Sequence, residues 1–163
     1  MKRLAAALAL LAAPAWAEQV VNLVTADFTV ARDAATGLCV ATDQVLSARK
    51  EGIEVTILLD AHGNAELVLA PDGADHSARL YQTVAFAFED SLVITAKARL
   101  LEGRYLIALQ EDGQPTDLWI ALRRRAFAVV ALPRKPEDRF GIDLRTMPDT
   151  FAALTACQKD AAQ

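Results

Sequence analysis

The sequence predicts a mainly β protein: a single-domain antiparallel β-sandwich or flattened barrel with a short middle helix and a C-terminal helix. Three observations support this class. Between Val20 and Leu144 the apolar residues recur mostly at every second position, the period of a strand with one buried face. Turn signals return about every eight to fifteen residues, the spacing typical of short antiparallel strands. A helical period replaces the strand period in only two segments.

The first half of the chain predicts strands joined by tight turns. An extended "DFTVAR" strand at 27–32 comes first, followed by a strand around "LCVAT". In "IEVTILLD", 53–60, the apolar residues Ile53, Val55, Ile57 and Leu59 share one face. The "AHGN" turn then leads into strand 65–70, because Gly63 and Asn64 tolerate the positive φ values of a tight hairpin.

The second half repeats the pattern and then changes period. A strand at 80–88 precedes a hairpin of strands 92–101 and 104–110, with "EG" as its turn. The apolar residues of two of these strands share one face: Val84, Phe86 and Phe88 in the first, and Leu92, Ile94, Ala96, Ala98 and Leu100 in the second. In "DLWIALRRR", 117–125, Leu118 and Leu122 lie four residues apart, which predicts a short helix capped by Thr116 or Asp117.

The chain is predicted to end with two strands and a helix. Strands at 126–132 and 140–145 flank a charged loop at 133–139. The following "MPDTFAALTACQKD" predicts a helix with Asp149 as its N-cap, a position that also suits a carboxylate in the helix dipole. The expected total is about eight strands and two helices.

The N-terminus has the pattern of a cleaved secretory signal. Lys2 and Arg3 precede an apolar run, and Ala15-Trp16-Ala17 matches the small-residue cleavage site. We therefore expect a signal peptide at 1–17, a single β-rich domain at 18–163 and a periplasmic location. Charged residues interrupt every later apolar run, so the protein is not expected to span a membrane.

The charge balance argues against a nucleic-acid partner. The whole chain carries a formal charge of −4, and loss of Lys2 and Arg3 would leave 15 of its 17 basic residues against 21 acidic ones. General nucleic-acid binders are usually basic. We expect an unknown protein or envelope component as the partner.

The two cysteines, Cys39 and Cys157, have three interpretations. Secretion into an oxidising compartment and an even cysteine count favour one disulfide between them. Two free buried thiols are the second interpretation. A reactive thiol is the third, although Cys157 lies toward the end of its predicted helix, where the dipole raises rather than lowers a thiol pKa.

One basic concentration stands out in this acidic chain and is a candidate contact surface for an anionic partner. If strands 126–132 and 140–145 form a hairpin, the basic residues of this concentration divide between the two ends of that hairpin. A solvated surface is the alternative interpretation. The candidate residues are Arg123, Arg124, Arg125, Arg134, Lys135 and Arg139.

Candidate catalytic and metal sites are few. The two histidines, His62 and His76, each lie near aspartates, but the strand 65–70 would hold these clusters about 20 Å apart. No glycine-rich phosphate loop, C-x-x-C pair or serine elbow is present. We expect no cofactor, no metal and no enzymatic activity; a small hydrolase or metal-binding protein using Asp72, Asp75 and His76 is an alternative.

The C-terminal residues resemble a known family. "FGIDL" and "FAALTACQ" resemble the last strand and terminal helix of small periplasmic proteins of the invasion-associated locus B family of alphaproteobacteria. The residues that carry the resemblance are Ile142, Leu144, Phe151, Ala153, Leu154 and Cys157. It implies a periplasmic β-sandwich-like fold with an accessory role in the envelope, and it implies no catalytic residue.

Together these observations predict a non-catalytic periplasmic binding or envelope-accessory protein, whose affinity comes from an exposed sheet face or from loops. Besides the hydrolase, a second alternative is an enzyme inhibitor that inserts a loop, 111–117 or 133–139, into a cleft.

Overall fold

The computed structural model describes residues 20–24, 28–47, 51–72, 81–133 and 135–160. The predicted signal peptide at 1–17 lies outside these residues. The described part contains two helices, α1 (Asp117–Arg124) and α2 (Met147–Asp160). Its strands are β1 (Val20–Val24), β2 (Thr29–Arg32), β3 (Cys39–Leu46), β4 (Gly52–Leu59), β5 (Ala65–Pro71), β6 (Tyr81–Phe88), β7 (Val93–Leu101), β8 (Arg104–Glu111), β9 (Gln114–Pro115), β10 (Phe127–Leu132) and β11 (Lys135–Asp143).

All pairings in the sheet are antiparallel, in the order β1-β2-β3-β4-β5-β8-β7-β6-β10-β11, with β9 on β8. An isolated bridge between Ser47 and Phe140 brings β11 back to the end of β3. The sheet therefore curls on itself, which confirms the predicted mainly β, flattened sandwich or barrel class.

The predicted turns explain why the strands pair in register. In the β4–β5 turn, Asp60 accepts hydrogen bonds from the backbone of His62 and Asn64, each at 2.8 Å. In the β7–β8 turn, Glu102 and Gly103 adopt φ values of 50° and 79°. Two successive residues at positive φ match the twist of an antiparallel hairpin.

The core lies inside the curled sheet and under the two helices. Alternate residues of β4, β6 and β8 point inward, as do Phe140 and Ile142 on β11, in agreement with the period of two. Helix α2 packs across β2 and β3, whereas α1 lies beside β7 and β8. The two helices meet where the rings of Trp119 and Phe151 approach to 4.3 Å between centroids.

Two sequence predictions near the C-terminus are wrong. The segment 133–139 is not a loop, because β11 begins at Lys135; its partners on β10 shift between Ala131 and Leu132, and this bulge accommodates the extra residues. Helix α2 begins at Met147, so Asp149 lies in its first turn and is not its N-cap. Pro148 is tolerated there because the first N–H groups of a helix have no helical partner.

The strand count is also higher than the expected eight, since the described residues form an 11-stranded sheet. The additional elements include β9, a strand of only two residues. No helix in the described part of the chain is both long enough and apolar enough to cross a membrane.

Candidate functional site

The sheet opens at the first half of β7. This strand pairs with β6 from Val93 to Arg99, but its pairing with β8 begins only at Ala98. Residues Val93–Ala96 therefore have a strand on one side and none on the other, as far as the described residues go. We call this segment the open edge.

The opening arises because the end of β8, which would otherwise lie beside this part of β7, pairs with β9. Asp112 and Gly113 adopt φ values of 48° and 76°, which folds the chain back so that β9 pairs with the end of β8. Thr116 then bonds to the carbonyl of Leu109 through both its backbone N–H and its hydroxyl, each at 2.9 Å. The edge of β8 that would meet Val93–Ala96 is thus occupied by β9.

Helix α1 starts directly after this turn and lies opposite the open edge. Thr116, one of the two predicted candidates, caps it by accepting a 3.2 Å hydrogen bond from the N–H of Trp119. One face of the helix packs into the core through Leu118, Trp119 and Leu122. A neighbouring face, with Asp117, Ile120 and Arg124, is turned toward β7.

Between α1 and the open edge lies a groove of about 780 Å³. We call it the α1–β7 groove. Its volume falls within the range of about 300–1,000 Å³ that is usual for ligand sites. The groove is lined by Glu89, Asp90, Leu92, Val93, Ile94, Thr95, Asp117, Ile120, Ala121, Arg124 and Arg125.

The groove continues along the sheet as a second depression of about 610 Å³. Ile94, Thr95 and Asp117 line both spaces, so the two are contiguous. The second depression extends past Lys97 to the outer face of β8. The combined trough thus follows the direction of β7.

The charged groups at the β6–β7 turn are held in place by one another. Arg125 binds Asp90 at 2.9 Å, and its guanidinium lies 5.3 Å from the centre of the Phe88 ring. The carboxylate of Glu89 accepts hydrogen bonds from the N–H groups of Ala126 and Phe127 at 2.9 and 3.1 Å. This turn forms a rigid end of the groove.

These contacts set the charges of the groove. The hydrogen bond from Arg125 lowers the pKa of Asp90 and raises that of Arg125 itself. The hydrogen bond from the N–H of Ala126 lowers the pKa of Glu89. All three groups are therefore charged at neutral pH.

Two further charges in the groove differ from these. Asp117 and Arg124 both line it, and neither has an ion-pair or hydrogen-bond partner for its side chain among the described residues. They lie seven positions apart on α1, at opposite ends of the same helix face. About 10 Å separates them along the helix axis, at 1.5 Å per residue.

The basic residues that the structure describes, among those singled out from the sequence, do not all line the groove. Arg124 and Arg125 line the groove, whereas Arg123 lies 5.9 and 5.8 Å from the ring centres of Trp119 and Phe151 on another face of α1. Lys135 pairs with Leu132 at the far end of the β10–β11 hairpin, and Arg139 is exposed on β11. Arg134 lies outside the described residues.

The candidate metal and hydrolase residues are only partly described. Asp72 is exposed, while Asp75 and His76 lie outside the described residues, so that alternative stays a prediction. Burial raises the pKa of Asp60, but hydrogen bonds from Asn64 and His62 outweigh it and lower the pKa overall. Among the described residues no three histidine, cysteine or acidic side chains come together as a metal site.

Cys39 and Cys157 form a disulfide, with their Cα atoms 6.0 Å apart. Both residues are fully buried, and Arg32 adds a hydrogen bond from its guanidinium to the carbonyl oxygen of Cys157. The bond therefore ties the last helix to β3, which confirms the structural interpretation of the two cysteines over both thiol alternatives.

Sequence reasoning found Arg124 and Arg125 but missed the groove they line. The inward face of β7 was predicted correctly, yet the early end of its pairing with β8 was not. The signal was "EDGQP", in which Gly113 and Pro115 allow a tight turn back onto β8. No protein-family model, curated protein or solved structure significantly matches this chain.

Proposed function

We propose that the protein is a non-catalytic binding or envelope-accessory protein of the periplasm, and that the α1–β7 groove holds its partner. The observation that carries the proposal is the groove itself. It combines an exposed apolar side chain, Val93, with two unpaired charges, Asp117 and Arg124.

The lining of the groove suits binding. Val93 is 59 % exposed, and Leu92, Ile94 and Ile120 are partly exposed around it. Covering apolar surface contributes about 25 cal/mol for each Å² removed from water. Asp117 and Arg124 would supply orientation, because a partner with the opposite charges at the right spacing would pair with both.

The electrostatics of the groove favour binding over acid–base chemistry. A general acid or base works best with a pKa near neutrality, which for a carboxyl group means a raised value. In this groove the contacts lower the pKa of Glu89 and Asp90 instead. Both carboxylates support the β6–β7 turn as permanent anions.

The periplasmic part of the proposal rests on two features. The disulfide between Cys39 and Cys157 suits an oxidising compartment. The sequence of residues 1–17 has the pattern of a cleaved secretory signal. The resemblance to the invasion-associated locus B family agrees with an envelope role and adds no site residue.

The proposal is tested by affinity capture with matched variants. Mature protein is immobilised as wild type, as Arg123→Glu and as the double variant Val93→Glu, Arg124→Glu, and each is exposed to periplasmic extract. We expect a component that the wild type and Arg123→Glu retain and the double variant loses by at least tenfold. Arg123 is the matched control because it is the neighbour of Arg124 outside the groove.

Mass spectrometry of the eluted material identifies the component, whether protein or small molecule. Equal retention by all three proteins, or no specific retention by the wild type, would contradict the proposal. Circular dichroism of each variant checks that the fold is intact.

A further inference from the structure

The open edge of β7 offers main-chain hydrogen-bonding groups in the spacing of a strand. The N–H of Phe88 donates to the carbonyl of Leu92 at 2.9 Å, so the main-chain N–H and C=O groups of Leu92 face β6. In an antiparallel ladder the main-chain groups of successive residues point alternately to the two sides of the strand. The N–H and C=O groups of Ile94 and Ala96 therefore also face β6. The N–H and C=O groups of Val93 and Thr95 point the other way, into the α1–β7 groove.

These outward groups are unused within the described structure. The β7–β8 ladder begins at Ala98, and no hydrogen bond from another described residue reaches the backbone of Val93 or Thr95. An unpaired strand edge is a template for another extended chain. A small molecule with isolated polar groups would not match two residues that repeat at strand spacing.

We propose that the partner in the α1–β7 groove is an extended polypeptide segment that adds to β7 as an antiparallel strand. This inference rests on the proposed function and specifies the class of partner. Main-chain hydrogen bonds to Val93 and Thr95 supply register, and side-chain contacts supply specificity. The contiguous second depression gives the segment room to continue past Thr95.

The walls of the groove set the side-chain pattern of the segment. Residues of the added strand alternate between the floor, where Ile94 and Ala121 lie, and the solvent face, where Val93 and Thr95 lie. The floor positions suit small or branched apolar side chains. The solvent-facing positions suit Thr or another polar residue that pairs across strands.

The unpaired charges set the order of the charged residues in an antiparallel segment. Arg125 binds Asp90 beside Leu92, so the C-terminal end of α1 lies at the start of β7, whereas Asp117 borders the space that reaches Lys97. An antiparallel segment consequently has its N-terminal part near Asp117 and its C-terminal part near Arg124. A basic residue followed about three or four residues later by an acidic one would pair with both charges, at 3.4 Å per residue.

The other charges near the Asp117 end do not reverse this preference. Lys97 and Arg99 border the second depression, but Glu66 and Glu111 border it as well. The ammonium group of Lys97 lies 4.0 Å above the ring of Tyr81, on the outer face of the strand. Asp117 thus leaves this end with a net negative charge.

The test begins with a phage-displayed library of random seven-residue peptides, selected on wild type and on Thr95→Pro. Proline at Thr95 removes an outward N–H and leaves the inward bonds to β6 in place. We expect enrichment on the wild type of alternating apolar and polar peptides with a basic residue before an acidic one. Thr95→Pro should enrich none of them.

An enriched peptide is then synthesised in three forms for fluorescence anisotropy: unchanged, with its two charged residues exchanged, and with its alternate main-chain nitrogens methylated. The exchanged form should bind at least tenfold more weakly, and the methylated form should not bind. The double variant Asp117→Lys, Arg124→Glu should prefer the exchanged form. Arg123→Glu should behave as the wild type. The comparison of the charge-reversed double variant with Arg123→Glu keeps the test decisive even if Thr95→Pro does not fold.

Several outcomes would overturn the inference. No enrichment on the wild type, or equal binding by the methylated peptide, excludes strand addition. A wild-type dimer in sedimentation that Thr95→Pro dissociates would make a second copy of this chain the occupant. If capture from extract depends on Arg124 while all peptides fail, the proposed function stands and the strand inference falls.

Discussion

Two regions of the same sheet differ in how closely a helix packs against them. Around β2 and β3 the helix α2 lies across the sheet and is joined to it by the Cys39–Cys157 disulfide. At the first half of β7 the helix α1 does not pack directly against the strand, and the α1–β7 groove lies between them. The difference teaches that one region holds the fold together while the other keeps backbone groups available.

The side chains of α2 that face the sheet in the covered region are buried. Phe151, Leu154 and Cys157 recur on one face of α2, and all three are buried against the sheet. In the open region, by contrast, Ile94 and Ala96 point inward but are only half-buried. The same alternating pattern thus gives full burial where a helix packs against the sheet and partial burial where the helix lies further away.

The largest expected effect comes from removing the disulfide that joins α2 to β3 in the covered region. The double variant Cys39→Ala, Cys157→Ala should lose about 5 kcal/mol of unfolding free energy, since a closed loop of this length strongly restricts the unfolded chain. The residues lie 118 positions apart. Urea unfolding of the variant and of the wild type, with and without reductant, measures the effect.

The reduced wild type is the control, because it keeps every side-chain atom. A loss below about 1 kcal/mol in both proteins would show that packing alone holds α2 on the sheet, in conflict with the loop-closure argument.

The next effect compares a buried aromatic residue of the covered region with an exposed one on β10. Phe151 is 4 % exposed and contacts Trp119, whereas Phe127 is 43 % exposed near the β6–β7 turn. Phe151→Ala should destabilise the protein by about 3–4 kcal/mol through lost burial and the cavity left behind. Phe127→Ala should cost less than about 1 kcal/mol, as surface changes usually do.

Denaturant midpoints of the two variants measure this contrast. Equal costs would mean that Phe127 supports the sheet as strongly as the interhelical contact does, which would contradict the central structural role of the α1–α2 contact.

A smaller effect distinguishes the two sides of β7 itself. Ile94→Pro removes an N–H that faces β6 and should cost about 1–3 kcal/mol, because its carbonyl partner on β6 loses its donor. Thr95→Pro removes an N–H that faces the groove and should cost about 1 kcal/mol or less, because proline is tolerated on an edge. Ile94→Ala and Thr95→Ala correct for the lost side chains, and similar costs for the two prolines after correction would contradict the open edge.

The smallest effect lies at a surface ion pair outside both regions. The hydrogen bond from Arg145 lowers the pKa of Asp143 from 3.8 to about 2. A lowered carboxyl pKa gives stability that is present above pH 3.8 and is lost as the pH falls through about 2. Asp143→Asn should therefore lose less stability than the wild type between those values, by a small margin because the pair is exposed.

Urea unfolding at pH 5 and at about pH 2.5 makes the comparison. An identical acid dependence for Asp143→Asn and the wild type would show that the pair contributes nothing to stability in that window.

Much of the fold follows from local signals in the sequence. The period of two identified the inward residues of β4, β6 and β7, and Thr116 was recognisable as a cap because a hydroxyl precedes a helical pattern. The disulfide was predictable because the signal-like pattern at the N-terminus indicates an oxidising compartment, in which two distant cysteines are expected to pair. These inferences need no knowledge of which strands are neighbours.

The parts that were missed depend on neighbours. The strand at Lys135 contains proline and charged residues, and it forms because β10 pairs with it across a bulge. Asp149 was misplaced because Met147 and Pro148 were not recognised as helical. The groove could not be predicted because it arises where the pairing between β7 and β8 ends, and that register is a property of the whole sheet.

Amide hydrogen exchange of the free protein, resolved by NMR along β7, tests the central claim most directly. We predict alternation: slow exchange at Ile94 and Ala96, whose N–H groups bond to β6, and fast exchange at Val93 and Thr95, whose N–H groups face the groove. Equal protection at all four amides would show that the edge is closed and would contradict both the site and its proposed partner.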